Sequence, residues 1–89
     1  MTMQRSSPDV DASRVGDRLV LYHRGTRKAL VLNPTGSWLW EQLAAGRTTD
    51  QLADALIERW PGIGRERASA DAAAFLDELG RHDMLSAAG

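Results

Sequence analysis

The hydrophobic pattern changes period at Asn33-Pro34, and this change constrains the fold more than any other feature. Before it, residues 18–23 and 28–32 are short runs of Leu, Val, Tyr and Ala, which suit a pleated sheet. Their connection around Gly25 is short enough to predict an antiparallel hairpin. A further short strand is expected over residues 10–15, followed by a turn at Gly16-Asp17. The first part of the chain therefore predicts an antiparallel sheet of two or three strands.

After Asn33 the apolar residues recur every three or four positions, as they do in amphipathic helices. Asn33 can cap a helix in which Pro34 takes the first position, and Thr48 with Gln51 fits a capping box for a second helix. The three helical stripes consist of Gly36, Leu39, Trp40 and Leu43, then Leu52, Ala53, Leu56, Ile57 and Trp60, then Ala68, Ala72, Phe75, Leu76 and Leu79. The predicted fold class is α+β, a small winged helix-turn-helix-like domain in which the sheet precedes three α-helices.

A chain of 89 residues has room for a single domain. Residues 1–9 are polar and contain Pro8, so we expect a flexible tail there and a folded domain over residues 10–89. Met84 and Leu85 are expected to fold back over the core. The chain has no cysteine and no apolar run of about 20 residues, which favours a cytoplasmic protein that does not enter a membrane.

Catalytic signals are weak along the whole sequence. His23 and His82 stand apart, without the spacing that metal-binding or catalytic histidines show, and no cysteine can serve as a nucleophile. Glycine-rich phosphate-binding motifs are also missing. The sequence predicts a protein that is not an enzyme and that needs neither a cofactor nor a metal.

A winged-helix DNA-binding transcriptional regulator is the alternative from a different functional class. Such a protein should bring Arg and Lys on its recognition helix toward phosphates and base edges. Here the third helical segment carries more acidic than basic residues, namely Glu66, Asp71, Asp77 and Glu78 against Arg67 and Arg81. The isoelectric point near 6.0 also disfavours DNA binding.

Two tryptophans fall on opposite sides of the first helical segment. Trp40 shares a face with Leu39 and Leu43, which predicts a core position. Trp38 points the other way, where it would either pack against the N-terminal segment or the loop after Trp60, or stand exposed as an anchor for a partner. We favour packing.

Residues 28–32 are apolar on both faces of the predicted strand. At the edge of the sheet, unpaired backbone groups of this strand would accept a guest strand. A central strand covered on both sides would show the same pattern, so periodicity leaves both positions open.

The segment Lys28-Ala-Leu-Val-Leu-Asn-Pro-Thr-Gly36, followed by Leu39-Trp40, Leu43 and Gly46-Arg-Thr48, resembles the PqqD-like family. The later Phe75-Leu76, Leu79 and Asp83-Met-Leu85 match its C-terminal helix and closing hydrophobic pair. Members of that family are precursor-peptide recognition elements, in which a leader peptide adds to the third strand of the sheet beside the third helix. The resemblance implies a peptide-binding site that consists of Arg27, Lys28, Ala29, Leu30, Val31, Leu32, Asp71, Ala74, Phe75 and Glu78.

The Trp in Leu39-Trp40 is similar to that of the stand-alone lasso-peptide members, so a lasso peptide is the first choice of product. A pathway for another modified peptide, or for the quinone cofactor, stays open. The resemblance implies three partners, which are the leader of a precursor peptide, a leader-cleaving cysteine protease and an ATP-dependent cyclase. Basic Arg24, Arg27 and Lys28 facing acidic Asp71 and Glu78 would set the polarity of the guest.

Overall fold

The computed structural model describes residues 3–88, in which four strands precede three helices and a fifth strand follows them. The strands are β1 (Met3–Ser6), β2 (Val10–Val15), β3 (Arg18–His23), β4 (Ala29–Val31) and β5 (Leu85–Ala88), and the helices are α1 (Pro34–Gln42), α2 (Thr49–Arg59) and α3 (Arg65–Arg81). A 3₁₀ turn at Leu43–Ala45 extends α1. This order confirms the predicted α+β class, with an N-terminal antiparallel sheet followed by three helices.

The N-terminal sheet has the strand order β2-β3-β4 and is antiparallel throughout. Its alternation is clear on β3, where Leu19, Leu21 and His23 are buried and the residues between them are more exposed. The opposite face carries Tyr22, which is 38% exposed. One face of β3 and β4 therefore packs on the helices and their other face is open to solvent, whereas β2 beyond Val10 is exposed on both faces.

Local sequence signals set the starts of α1 and α2. The side chain of Asn33 accepts a hydrogen bond from the Gly36 N–H at 2.7 Å, with Pro34 at the first helical position. Thr48 and Gln51 form the expected capping box, in which each side chain accepts a hydrogen bond from the other residue's N–H.

The core lies between the buried face of the sheet and the helices. Leu21, Leu39, Leu43, Leu52, Leu56, Leu79 and Met84 are its largest fully buried apolar side chains. Trp40 is 8% exposed, which confirms its core position. Met84 is fully buried and Leu85 packs against the same cluster, as expected for residues that fold back over the core.

A second, two-stranded sheet pairs the two ends of the described chain. β1 runs antiparallel to β5, with Gln4 opposite Ala87, and Gln4 also exchanges two backbone hydrogen bonds with Arg47 at 2.7 and 2.8 Å. Met3–Ser6 thus lies in a strand within the segment expected as a flexible tail, because β5 supplies a partner that is distant in sequence. The boundary at residue 9 stays a prediction, and residues 1–2 lie outside the described part.

None of the helices within residues 3–88 combines the length and apolarity needed to cross a bilayer.

Candidate peptide-binding site

β4 forms one edge of the three-stranded sheet. It pairs with β3 on one side, and no other strand within residues 3–88 lies against its second side. The structure thereby decides between the two positions that periodicity left open, in favour of the edge. Val31 is 59% exposed and Ala29 is also exposed, so β4 is not covered on both faces.

The hydrogen bonds at the two ends of the β3–β4 pair show which backbone groups of β4 are unpaired. His23 N–H donates to Lys28 O at 2.9 Å, and Leu32 N–H donates to Leu19 O at 2.9 Å. In an antiparallel pair the hydrogen-bonded residue pairs alternate, which leaves Leu30 bonded to Leu21 between these two ends. The N–H and C=O groups of Ala29 and Val31 consequently point away from β3.

The side chains of β4 alternate in the same way. Leu32 is 5% exposed and Leu30 is half-buried against the core, whereas Ala29 and Val31 lie on the outer face. Of the strand residues predicted for the site, Ala29 and Val31 therefore offer backbone groups to a guest. Leu30 and Leu32 instead anchor the strand in the core.

The four residues predicted from α3 line one hollow, which we call the α3 groove. Its volume is about 340 Å³, and it is lined by Asn33, Thr35, Gly36, Leu39, Arg67, Asp71, Ala74, Phe75 and Glu78. The structure thus brings Asp71, Ala74, Phe75 and Glu78 together. The facing wall comes from the start of α1 rather than from residues 27–32.

Gly36 lies between the N-cap of α1 and Phe75 of α3. A Cβ on Gly36 would lie 3.1 Å from Oδ1 of Asn33, which is tight, and in ordinary contact with Cε1 of Phe75 at 3.5 Å. A larger residue at this position would fill the floor of the groove. Phe75 itself is half-buried, so part of its ring lies against the core and part faces the groove.

The turn before β4 is built around His23. Its Nδ1 accepts hydrogen bonds from the N–H groups of Gly25 at 3.0 Å and Thr26 at 3.1 Å, and its side chain is almost fully buried. Arg27 has a φ of 62° and donates its N–H to His23 O at 2.7 Å. This histidine therefore has a structural role, and it holds the turn that delivers Lys28 to β4.

The three basic residues of the turn differ in whether their side chains are already paired within the fold. Arg24 forms an ion pair with Asp11 and donates to the Pro8 carbonyl at 2.7 Å, so it serves the fold rather than a guest. Arg27 and Lys28 have exposed side chains. Of the three expected basic groups, these two are the ones that can face a partner.

Trp38 packs against Trp60, with ring centroids 5.3 Å apart and an angle of 75° between the planes. It is half-buried at the edge of the core, so the packing interpretation is confirmed. Its aromatic partner is Trp60, which follows the last residue of α2, and it lines a hollow together with Arg14 and Asp17 from the N-terminal part of the chain.

Within residues 3–88, no three His, Asp or Glu side chains gather closely enough to hold a metal ion. The charged groups of the α3 groove are instead Arg67, Asp71 and Glu78. The unpaired edge of β4 is suited to pairing with an extended peptide through main-chain hydrogen bonds.

Five residues that line the α3 groove were not among the site residues predicted from the sequence, namely Asn33, Thr35, Gly36, Leu39 and Arg67. The signals for Gly36 were its place in the first helical stripe and in the motif that carried the family resemblance. For Arg67 the signal was its spacing of four residues from Asp71, with which it forms an ion pair at 3.6 Å.

Solved structures with the same architecture include two leader-peptide complexes. "TbiB1 in Complex with the TbiA(beta) Leader Peptide" is 26% identical, with a TM-score of 0.83, and the match covers 92% of this chain and 94% of that one. "Lasso peptide synthetase B1 complexed with the leader peptide" is 22% identical, with a TM-score of 0.79 over 93% of this chain and 96% of that one, and shows the fold alone.

No curated protein sequence matches the chain. Neither the matching family nor the two solved structures support the alternative of a DNA-binding regulator. Residues 18–85, about three quarters of the chain, match the family model described as "Coenzyme PQQ synthesis protein D (PqqD)". Since this match includes β3, β4 and all three helices, the chain belongs to the PqqD family.

Proposed function

We propose that this protein binds the leader of a ribosomally made precursor peptide, most specifically a lasso-peptide precursor, and is not itself an enzyme. The observation that carries the proposal is the free edge of β4, which leads within two residues to Asn33 on the wall of the α3 groove. The similarity to TbiB1, which was solved with a leader peptide, supports the same role. The bound leader would be presented in the cytoplasm to a leader-cleaving cysteine protease and an ATP-dependent cyclase.

The guest would pair with the backbone groups of Ala29 and Val31 that point away from β3. Its side chains would then alternate between the outer face of the sheet and the α3 groove, because successive residues of a strand point to opposite faces. Those entering the groove would contact Phe75 and Ala74, with Glu78 and Asp71 at its rim. Main-chain pairing would supply affinity, and the groove would supply selectivity.

The proposed function requires a precursor peptide, and a search of the genes that neighbour this one for a short precursor would supply the leader used as the probe in a calorimetric test. We expect the synthetic leader to bind the purified chain, and a DNA duplex to bind weakly or not at all at the same salt concentration. Tight, salt-dependent DNA binding without a response to the leader would overturn the proposal.

Two proline substitutions test the binding mode. Val31→Pro removes an N–H that points to the open edge, so it should weaken leader binding at least tenfold while largely preserving stability. Leu30→Pro removes an N–H that bonds to β3 and leaves the carbonyl of the buried Leu21 without a donor, so it should destabilise the fold by about 1–3 kcal/mol. If Val31→Pro bound the leader as well as the unaltered protein does, strand addition at β4 would be wrong.

A further inference from the structure

The α3 groove continues into a second hollow beyond the start of α1, which we call the tryptophan cleft. Its volume is about 520 Å³, and its lining includes Thr35, Arg59, Trp60, Ile63, Arg67 and Asp71. Thr35, Arg67 and Asp71 line both hollows, so the two adjoin each other along α3. A peptide segment leaving the α3 groove toward the first turns of α3 would enter this cleft.

The apolar floor of the cleft is held in place before any guest arrives. Trp60 packs edge-on against Trp38 at 5.3 Å, and the Arg59 guanidinium lies 5.0 Å from the centre of the Trp60 ring. Ile63 packs against the core and donates its N–H to Trp60 O at 3.0 Å, which closes the turn between α2 and α3. A rigid aromatic and aliphatic surface of this kind loses little entropy on binding.

The tryptophan cleft and the α3 groove differ in the charges of the side chains that line them. Arg59 and Arg67 lie at the tryptophan cleft, where Asp71 is the acidic residue of the lining. The α3 groove carries Asp71 and Glu78 against Arg67. Arg67 is 77% exposed and lies 3.6 Å from Asp71, so it remains free to contact a second carboxylate. The cleft thus favours an acidic guest residue, and the groove favours a basic or neutral one.

We propose that the tryptophan cleft is a second anchor site for the same leader peptide. It would take one large apolar side chain on Trp60 and Ile63, with a neighbouring carboxylate contacting Arg59 or Arg67. This inference rests on the proposed function, since the occupant is the segment that flanks the one paired with β4. The leader would then be held at two points, by strand pairing at β4 and by this anchor.

Titration of the synthetic leader, followed by NMR of the unaltered protein, tests the occupancy of the cleft. We expect the Trp60 indole N–H signal and the Ile63 methyl signals to shift in parallel with the backbone amides of β4. A nested series of leader truncations should reach a peptide that still perturbs β4 but no longer shifts the Trp60 signal.

Two charge reversals at helix ends supply a matched pair. Arg59 lines the tryptophan cleft but not the α3 groove, so Arg59→Glu should weaken binding of the full leader at least tenfold and leave binding of the truncated leader within about twofold. Arg81→Glu changes the net charge equally, but Arg81 lines a different hollow with Gln4 and Asp77, so it should leave both affinities within about twofold. Replacing the acidic leader residue by Lys should restore affinity for the Arg59→Glu protein.

The outcomes separate this inference from the proposed function. Leader binding with protected β4 amides, an unmoved Trp60 signal and equal affinities for the two reversed proteins would overturn the anchor site and keep the function. Absence of any leader binding would overturn both.

Discussion

Ser37 links the edge strand to the helices through a single hydroxyl group. Its Oγ accepts a hydrogen bond from the Leu19 N–H at 2.8 Å and donates to Leu32 O at 3.4 Å, and the side chain is 1% exposed. The hydroxyl thus lies between the end of the β3–β4 pair and the first turn of α1. No sequence motif marks this role, because it depends on Leu19, which lies 18 residues away.

Replacing Ser37 by Ala should leave the buried Leu19 N–H without an acceptor. The expected loss of unfolding free energy is about 1–3 kcal/mol, measured by urea denaturation. Ser69→Ala on α3 is the control, because it gains the same helix propensity and should be neutral or slightly stabilising. Equal stability of the two variants would show that the Leu19 N–H finds another partner.

Substitution of His23 gives a second prediction for a single residue. His23→Leu removes the acceptor of two turn N–H groups and should cost about 1–3 kcal/mol, with weaker leader binding because the turn precedes β4. His23→Asn keeps a side-chain oxygen that can accept from the backbone two residues on, so it should lose less of both. The comparison uses urea denaturation and calorimetry, and an unchanged leader affinity in His23→Leu would mean that the turn does not position β4.

At the level of the elements, the sequence predicted those features whose signals are local. The bounds of α2 follow from the Thr48 capping box and from Pro61, both of which act within one helical turn. β4 is shorter than the expected residues 28–32, because the left-handed φ of Arg27 keeps Lys28 in the turn and Leu32 leads into the N-cap. The β1–β5 pair was missed because its two strands are polar or short and lie at opposite ends of the chain.

The capping box itself gives a stability prediction. Thr48→Ala removes the acceptor of the Gln51 N–H and should lower the free energy of unfolding by about 1 kcal/mol. Thr49→Ala, one position into α2, keeps the box and should change stability by less than half of that. Thermal melting of both variants measures the difference. Identical melting temperatures would mean that the Gln51 N–H finds another acceptor when the Thr48 hydroxyl is removed.

On the scale of the whole molecule, α3 separates two different surfaces. One side lines the α3 groove with Asp71, Ala74, Phe75 and Glu78, and the other lines a hollow with Gln4 and Leu85 of the terminal strands. The terminal sheet therefore supports α3 from the side opposite the proposed site. The four α3 residues that the family resemblance implied line one groove, and their role in binding stays a prediction. The tryptophan cleft could not be predicted from the sequence, because it depends on the three-dimensional path of the α2–α3 turn.

Deleting residues 1–6 tests whether the terminal sheet supports α3 without contributing to the proposed binding site. Loss of β1 removes the partner of β5 and the two hydrogen bonds to Arg47, so we expect a lower melting temperature. Each kcal/mol lost should correspond to about 4–8 °C for a domain of this size. Leader affinity, measured well below the melting temperature, should stay within about twofold. A folded but non-binding truncated protein would place part of the binding site in the N-terminal strand.

The free edge of β4 also bears on solubility. An unpaired strand can recruit its counterpart from another copy of the chain and start aggregation. Here the exposed edge is three residues long, and Lys28 precedes it with a charged side chain. Such short, charged edges are a known protection against self-association. The same shortness that keeps copies apart means that a guest must gain the rest of its affinity outside the strand.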